Sequence, residues 1–418
     1  MSLDEDRDLR RKLIEFKLTE PRIAIELVKK AIKKKREHQA LIMRLNELGD
    51  KLLDKILENE DSRRYLHTVA ITKEDMEKFS QTSIAGIDGS FQVVGGRGHR
   101  YYVMLTAVIV ELLQGLKTSK DKIEIRYPEN GIDIISFDDP TLGEQTNNIA
   151  EDVMMYYETA AIYETIKACR NHNKCYRILI DGPLADPPRQ ITHEGAILLR
   201  EHFNVNDYIK FRSNALIEAY SLNEYGTFIA GYVKSSRSDR LLKYNLMKHF
   251  NIREHILNEF AGDSEIAYII LSKLLLNNAL KDKTIYGYLG PFKAFGGIYE
   301  EYSKHGIDIY FIYGINRHYN RVFRLELGIP QREEVTIDTI DDHMKQLYRT
   351  IIATTLPGNI HPLPIVLAHE KCRIRRGAAE FIYEAILTRI YKDLLTQQQN
   401  ILQQFITFNI LMENPEKH

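Results

Sequence analysis

The order of the predicted elements between residues 84 and 181 most constrains this fold. SIAGIDGSFQVV and RYYVMLTAVIVELL are β-rich runs joined by the glycine-rich GGRGH, a pattern typical of a hairpin. A third run at residues 122–137 completes a predicted antiparallel meander. An amphipathic helix from about Glu151 to Arg170 follows, and then the apolar run RILID ends at Asp181. This order predicts an α/β protein with a mixed sheet, in which the strand after the helix is parallel to the first strand.

The rest of the chain adds predicted helices at both ends. Residues 5–65 have apolar positions mostly three to four apart, and we predict an N-terminal helical region at residues 1–65, with Pro21 opening its second helix. The basic run at residues 29–37 is either a solvated helix face or a phosphate-contacting arm. Residues 66–418 show no convincing linker or internal repeat and are predicted to form one domain, with its core at about 80–385. Its second half should contain helices at 191–220 and 241–281, strands at 227–236, 308–316 and in FRLELGIP, and a long C-terminal helix at 377–412.

Composition excludes several classes of protein. With 44% hydrophobic and 28% charged residues among 418, the chain is not disordered or of low complexity. Its 57 Lys and Arg against 58 Asp and Glu exclude a globally basic surface, so nucleic-acid binding would need local patches. Three cysteines without CxxC spacing argue against a disulfide framework or a zinc knuckle. Without an apolar N-terminal segment or a run of about 18 apolar residues, we expect a soluble cytoplasmic protein with no membrane partner.

Two aspartates stand within or at the end of apolar strand patterns. Asp88 lies in GIDGS and Asp181 in ILIDGPL. An unpaired carboxylate in a sheet core is costly, so two of them on separate runs indicate a function. A shared Mg²⁺ or Mn²⁺ would explain both, and the alternative is a pair of Asx-type turns before glycine.

A third carboxylate is expected from the helix between the two strands. A five-residue strand spans roughly 17 Å, which corresponds to about 11 helical residues. Counting back from Arg170 favours Glu158, and Glu164 is the rival because it falls within the apolar stripe of the same helix.

The second half of the chain contributes a candidate histidine. His369 follows the apolar run IVLA, interpreted as a strand end, and precedes a basic cluster that includes Lys371 and Arg373. A general acid or base, or a metal ligand, is expected where such a run meets a phosphate-binding surface, although a histidine at a strand end is often only structural.

Together, four segments resemble the NurA nuclease family. They are GIDGS with Asp88, RILIDGPL with Asp181, FIAGYVKSSRSDRLL with Lys234, and PLPIVLAHEKCRIR with His369. The resemblance spans about residues 80–385 and depends on the order of the segments, since no single motif is specific.

The resemblance implies an RNase H-like fold and a metal-dependent DNA nuclease. It implies a homodimer that works with a HerA-type hexameric ATPase in DNA-end resection, as a 5′ to 3′ exonuclease with single-strand endonuclease activity. Two ions held by Asp88 and Asp181 would activate a water and stabilise the leaving oxygen in an in-line attack on a phosphodiester, and the resemblance implies a preference for Mn²⁺ over Mg²⁺. Asp88, Asp181, Glu158 or Glu164, and His369 would be the active-site residues. Lys234 and Arg237 would contact phosphates, together with Lys371 and Arg373 in the basic cluster.

One position departs from the family pattern. Where the family often has a tyrosine eight residues before the late histidine, this chain has His361. Imidazole can still hydrogen-bond a phosphate or bind a metal, but it is not a phenol.

Two other functions compete with the nuclease. A non-catalytic dimeric adaptor could dock on a hexameric DNA translocase through its terminal helices. An actin-like ATPase or sugar kinase would use GIDGS as a phosphate loop, but Pro183 makes the second loop a poor phosphate binder. Walker A spacing is absent, so the chain does not power translocation itself.

Overall fold

A computed structural model provides the structure of the protein. It describes residues 43–58, 64–79, 83–95, 101–113, 122–129, 131–137, 146–172, 176–186, 191–222, 227–234, 240–279, 284–316, 321–356 and 358–397, with isolated positions at 26, 30 and 318. The described residues form one mixed sheet of ten strands flanked by helices, which confirms the predicted α/β class.

The first part of the sheet is the predicted meander. Strands β2 (Ser83–Gly95) and β3 (Tyr101–Leu113) pair antiparallel along almost their whole length. The third predicted run is two strands, β4 (Lys122–Arg126) and β5 (Ile132–Phe137), and both pair antiparallel with β3. The single run was wrong because Pro128 and Gly131 interrupt it: the Gly131 N–H donates to the Pro128 carbonyl in a tight turn.

Parallel strands continue the sheet on the other side of β2. Strand β6 (Tyr176–Asp181) is parallel to β2, as predicted, and β7 (Phe228–Val233) is parallel to β6. Beyond β7 lie β10 (Val322–Pro330), β9 (Ile307–Ile315), β8 (Ile285–Lys293) and β1 (Leu66–Ala70), all joined antiparallel. Strands β8 and β1 have no counterpart in the sequence prediction.

Helices cover both faces of the sheet. In chain order they are α1 (residues 43–58), α2 (Lys73–Phe79), α3 (Thr146–His172), α4 (His193–Phe203), α5 (Tyr208–Tyr220), α6 (Leu241–Phe250), α7 (Glu254–Leu257), α8 (Asp263–Ala279), α9 (Ile298–Lys304), α10 (Ile337–Thr354), α11 (Leu363–Cys372) and α12 (Arg376–Gln397). The predicted helical stretches 151–170, 191–220 and 241–281 correspond to α3, to α4 with α5, and to α6 through α8. None of the described helices is long and apolar enough to cross a membrane.

Alternation along β6 shows which core lies on which face. The sheet has a hydrophobic core on each face. Ile178 and Ile180 pack with α3, α5, α6 and α8 in one of them, which we call the first core. Leu179 packs with α10 and α11 in the other, which we call the second core. On β2, Ile87 belongs to the first core and Ile84 to the second. By this alternation Asp88 and Asp181 lie on the second-core face, beneath α11.

The sequence interpretation was wrong about the segment before His369. The run IVLA is the middle of helix α11, not a strand, because Pro362 and Pro364 at its start favour a helix N-terminus and the apolar residues pack onto β2 and β3. Helix α10, whose apolar positions recur at helical spacing, was not predicted. The last helix begins at Arg376, near the expected residue 377, and residues 398–412 of that prediction lie outside the described residues, as do Pro21 and the basic run 29–37.

Candidate active site

The sheet opens beside Asp88. Strands β2 and β6 pair from Ser83–Tyr176 to Ile87–Ile180, and there the pairing stops. Strand β6 ends at Asp181, while β2 continues to Gly95 with β3 as its partner. Asp88 and Asp181 are therefore the next residues on two neighbouring parallel strands, at the point where the strands separate. Asp88 is in mid-strand, which excludes the Asx-turn alternative for this residue.

We call the place where β2 and β6 separate, at Asp88 and Asp181, the fork. Two glycines shape it: Gly86 permits close packing, and Gly182 permits an unusual backbone conformation. A Cβ on Gly86 would lie 2.4 Å from the Pro364 carbonyl oxygen, so only glycine lets α11 cross β2 this closely. Gly182, just after Asp181, has φ of +142°, a conformation that side chains disfavour.

Helix α11 delivers two side chains to Asp88. His369 Nδ1 lies 2.9 Å from Asp88 Oδ2 and 3.7 Å from Asp181 Oδ2. The Cys372 thiol donates to the same Asp88 Oδ2 at 3.3 Å. His369 and Cys372 are three residues apart, so they share one face of the helix. Within the described part of the chain, the ligand atoms of Asp88, His369 and Cys372 all lie within 4.8 Å of one another.

The Asp88 carboxyl is in an unusual electrostatic environment. Asp88 is only 5% exposed. Burial first, and then the charge of Asp181, raise the pKa of Asp88 to about 7, while the hydrogen bonds from Cys372 and His369 act in the opposite direction. The site therefore disfavours two negative charges in the absence of a cation.

Glu158 approaches the fork from helix α3. The Gly89 N–H faces the side of β2 that β6 has left, and it donates to Glu158 Oε1 at 2.9 Å. Burial, and to a smaller extent Asp186, Asp88 and Asp181, raise the pKa of Glu158 well above its usual value, although Arg212 opposes them. Glu164 lies elsewhere, where it accepts a hydrogen bond from the Glu129 backbone N–H.

A buried arginine holds the loop after Asp181 against α3. Arg212 on α5 is fully buried and donates to the carbonyls of Pro183 and Leu184 at 3.3 and 3.2 Å. It also donates to Thr159 Oγ1, next to Glu158, at 3.1 Å. Its positive charge therefore joins the two elements that carry Glu158 and Asp181.

A buried ion pair on β10 also fixes this loop. Glu326 on β10 accepts from the Leu184 N–H at 2.8 Å, and Arg324 lies 2.9 Å from the Glu326 carboxylate. Tyr299 also donates to Glu326, at 3.0 Å. The loop is therefore positioned by charged groups that are themselves buried away from solvent.

Two of the remaining predicted residues, Lys234 and His361, lie on the rim of the fork. Lys234 Nζ is 2.5 Å from Asp181 Oδ2. His361 Nδ1 lies 3.1 Å from the Tyr232 hydroxyl, and burial followed by the Lys234 charge lowers the pKa of His361 to about 4. Lys371, in the last turn of α11, and Arg373, directly after the helix, are exposed. Arg237 lies outside the described residues.

The structure thus brings together Asp88, Asp181 and His369, with Glu158 at the adjoining strand edge and His361 on the rim. Sequence reasoning missed Cys372, Tyr232, Arg212 and Glu326 as members of the site. The spacing of His369 and Cys372 in AHEKC was available as a signal once α11 is a helix. Arg212 in FRSNALIEAY was another, because it is a charge within an apolar helix.

These features define a class: an α/β protein with acidic residues and a histidine gathered where a mixed sheet opens. A family model for the NurA domain matches residues 82–374 of this chain. The match covers more than half of the chain, and the protein belongs to the NurA family, a family of nucleases. A search of curated proteins found no match.

Proposed function

We propose that this protein is a divalent-metal-dependent DNA nuclease that hydrolyses phosphodiester bonds. The observation that carries the proposal is the convergence of Asp88, Asp181 and His369 at the fork between β2 and β6. Membership of the NurA family supports it independently.

The donor set suits a hard divalent cation. Asp88 and Asp181 supply carboxylate oxygens and His369 an imidazole, a set that Mn²⁺ and Mg²⁺ accept. Burial, and then the charge of Asp181, raise the pKa of Asp88, so an ionised Asp88 is costly here, and a cation between the two carboxylates would offset that cost. Glu158 is the fourth candidate ligand, and the Gly89 N–H already orients its Oε1. Bound Mn²⁺ or Mg²⁺ would supply Lewis acidity and lower the pKa of a water.

The protein residues would do the rest by position and charge. Lys234 is paired with Asp181 and would turn to a phosphate oxygen once a cation compensates the carboxylate. His361 is neutral at pH 7 because its pKa is low, so it would donate one hydrogen bond and add no charge. The exposed Lys371 and Arg373 would bind neighbouring phosphates.

The family resemblance adds an oligomeric state, a partner and a mode of cleavage to the proposal. We propose a cytoplasmic homodimer that works with a HerA-type hexameric ATPase in DNA-end resection, as a 5′ to 3′ exonuclease with single-strand endonuclease activity that prefers Mn²⁺.

The test is cleavage of end-labelled linear DNA and circular single-stranded DNA with Mn²⁺, Mg²⁺ or EDTA. The wild type should cut with metal only, and Asp88→Asn and Asp181→Asn should each lose activity by several orders of magnitude while remaining folded by circular dichroism. Glu164→Gln is the matched control, and it should cut at the wild-type rate. If the wild type stays inactive even with a HerA-type partner added, the nuclease proposal fails and an adaptor role is favoured.

A further inference from the structure

The cluster on α11 contains a thiol that a manganese or magnesium nuclease does not need. Cys372 is 1% exposed, and its Sγ lies against the same oxygen of Asp88 that faces His369 Nδ1. Oxygen and imidazole ligands suit Mn²⁺ or Mg²⁺, whereas a thiolate favours Zn²⁺.

We propose that Asp88, His369 and Cys372 form a three-ligand site for Zn²⁺, and that Zn²⁺ bound there inhibits the nuclease by occupying Asp88 and His369. The binding half of this inference stands on the cluster alone. The inhibition half rests on the proposed function.

Two of the three ligand–ligand distances are close to those of a tetrahedral zinc site, and all three lie within 4.8 Å. With Zn–N and Zn–O near 2.0 Å and Zn–S near 2.3 Å, ligand atoms in such a site lie about 3.3–3.6 Å apart. Here Asp88 Oδ2 is 2.9 Å from His369 Nδ1 and 3.3 Å from Cys372 Sγ. Small movements of two side chains on one helical turn would therefore admit the ion.

The surroundings of the cluster allow an ion to enter from solvent and favour Zn²⁺ over Mn²⁺ and Mg²⁺. The His369 side chain is 55% exposed, so an ion can reach the cluster from solvent and keep a water as its fourth ligand. The Cys372 thiol donates a hydrogen bond to Asp88, so it carries its proton before an ion binds. On binding, the Sγ–H proton passes to solvent and the sulfur donates its electron pair to the ion. Mn²⁺ and Mg²⁺ do not repay this deprotonation, because they bind thiolate weakly.

Co²⁺ is the spectroscopic probe for this site. The full-length protein, titrated with Co²⁺, should develop a near-ultraviolet sulfur-to-metal charge-transfer band and the strong visible bands of tetrahedral cobalt. Cys372→Ser should lose the near-ultraviolet band. Cys169→Ser is the matched control, because Cys169 is a buried cysteine in the first core, and it should keep the band. Cys372→Ala repeats the test if the serine variant unfolds.

Displacement of Co²⁺ by Zn²⁺ gives the affinity. We expect Zn²⁺ to bind Cys372→Ser at least 10-fold more weakly than it binds Cys169→Ser, because even the loss of a group that only orients a ligand costs about 10- to 100-fold in metal affinity. The proposal is overturned if the wild type shows no charge-transfer band, or if Cys372→Ser retains it.

Inhibition is measured separately. With each variant normalised to its own Mn²⁺-dependent rate, the Zn²⁺ concentration for half-inhibition should rise at least 10-fold in Cys372→Ser relative to Cys169→Ser. Equal inhibition of the two variants would overturn the inhibition half. If no variant cuts DNA with any metal, the proposed function fails, and the cobalt spectra still decide whether the zinc site exists.

Discussion

The two sides of strand β2 at Asp88 are built differently. On the α11 side, the half-exposed His369 and the Cys372 thiol converge on one carboxylate oxygen. On the α3 side, Glu158 is hydrogen-bonded to the Gly89 backbone and lies near the fully buried Arg212. We call the α3 side, with its buried and hydrogen-bonded groups, the floor of the site, and we expect it to stay fixed. The α11 side, in contrast, can reorganise around a ligand. Removing the buried Arg212 cation from the floor should act mainly on stability, whereas changes to side chains that face Asp88 and Asp181 should act mainly on activity.

The largest expected effect is on the floor. Arg212→Met should lower the free energy of unfolding by about 3–5 kcal/mol, because it leaves buried carbonyls and carboxylates without their cation. Urea denaturation followed by circular dichroism measures the change. Arg170→Met is the control: it breaks an exposed ion pair with Glu218 and should cost at most about 1 kcal/mol. Equal losses in the two variants would contradict the fixed floor.

Gly86→Ala tests how α11 is seated. Its Cβ would meet the Pro364 backbone, so α11 must shift, and the expected cost is about 1–3 kcal/mol of stability with a large loss of cleavage. Gly377→Ala is the control, since nothing lies within 4 Å of its added Cβ. DNA cleavage and thermal unfolding are measured together. A stable, fully active Gly86→Ala protein would mean that α11 tolerates displacement.

Glu158→Gln separates charge from hydrogen bonding on the floor. The amide oxygen can still accept from Gly89, so stability should change by less than about 1.5 kcal/mol, while cleavage should fall by at least about 100-fold if Glu158 holds a metal. The Mn²⁺ concentration for half-maximal cleavage should rise in parallel. Unchanged activity and unchanged Mn²⁺ dependence would leave Glu158 with a structural role only.

Tyr232→Phe gives the smallest expected effect. It removes one hydrogen bond to His361, so stability should fall by at most about 1.5 kcal/mol. Cleavage should fall by about 10-fold, as when the partner of an active-site group is removed. The loss should be absent when His361→Phe is already present, and a double-mutant cycle on the cleavage rate measures this. Additive losses would show that Tyr232 does not act through His361.

The sequence predicted the meander, the parallel strand and the placement of the two aspartates on neighbouring strands. Apolar periodicity and a carboxylate within an apolar run are both local signals, so a sequence pattern can reveal them. It did not predict α11 as a helix, since the short apolar run IVLA is ambiguous between strand and helix. Cys372 was missed for the same reason: its relation to His369 exists only in a helix. Arg212 and Glu326 become site residues only through tertiary contacts with residues 183–184, which no local pattern reveals.

The contacts between α11 and β2 have a consequence for synthesis. The hydrogen bonds from His369 and Cys372 to Asp88 join residues 281 and 284 positions apart. Contacts of such long range form late, because the intervening chain must be ordered first. A chain still emerging from the ribosome, or cut short before residue 369, has both aspartates but lacks the histidine that faces them. Under the proposed function, the candidate active site is therefore incomplete until the last third of the chain has folded onto the first.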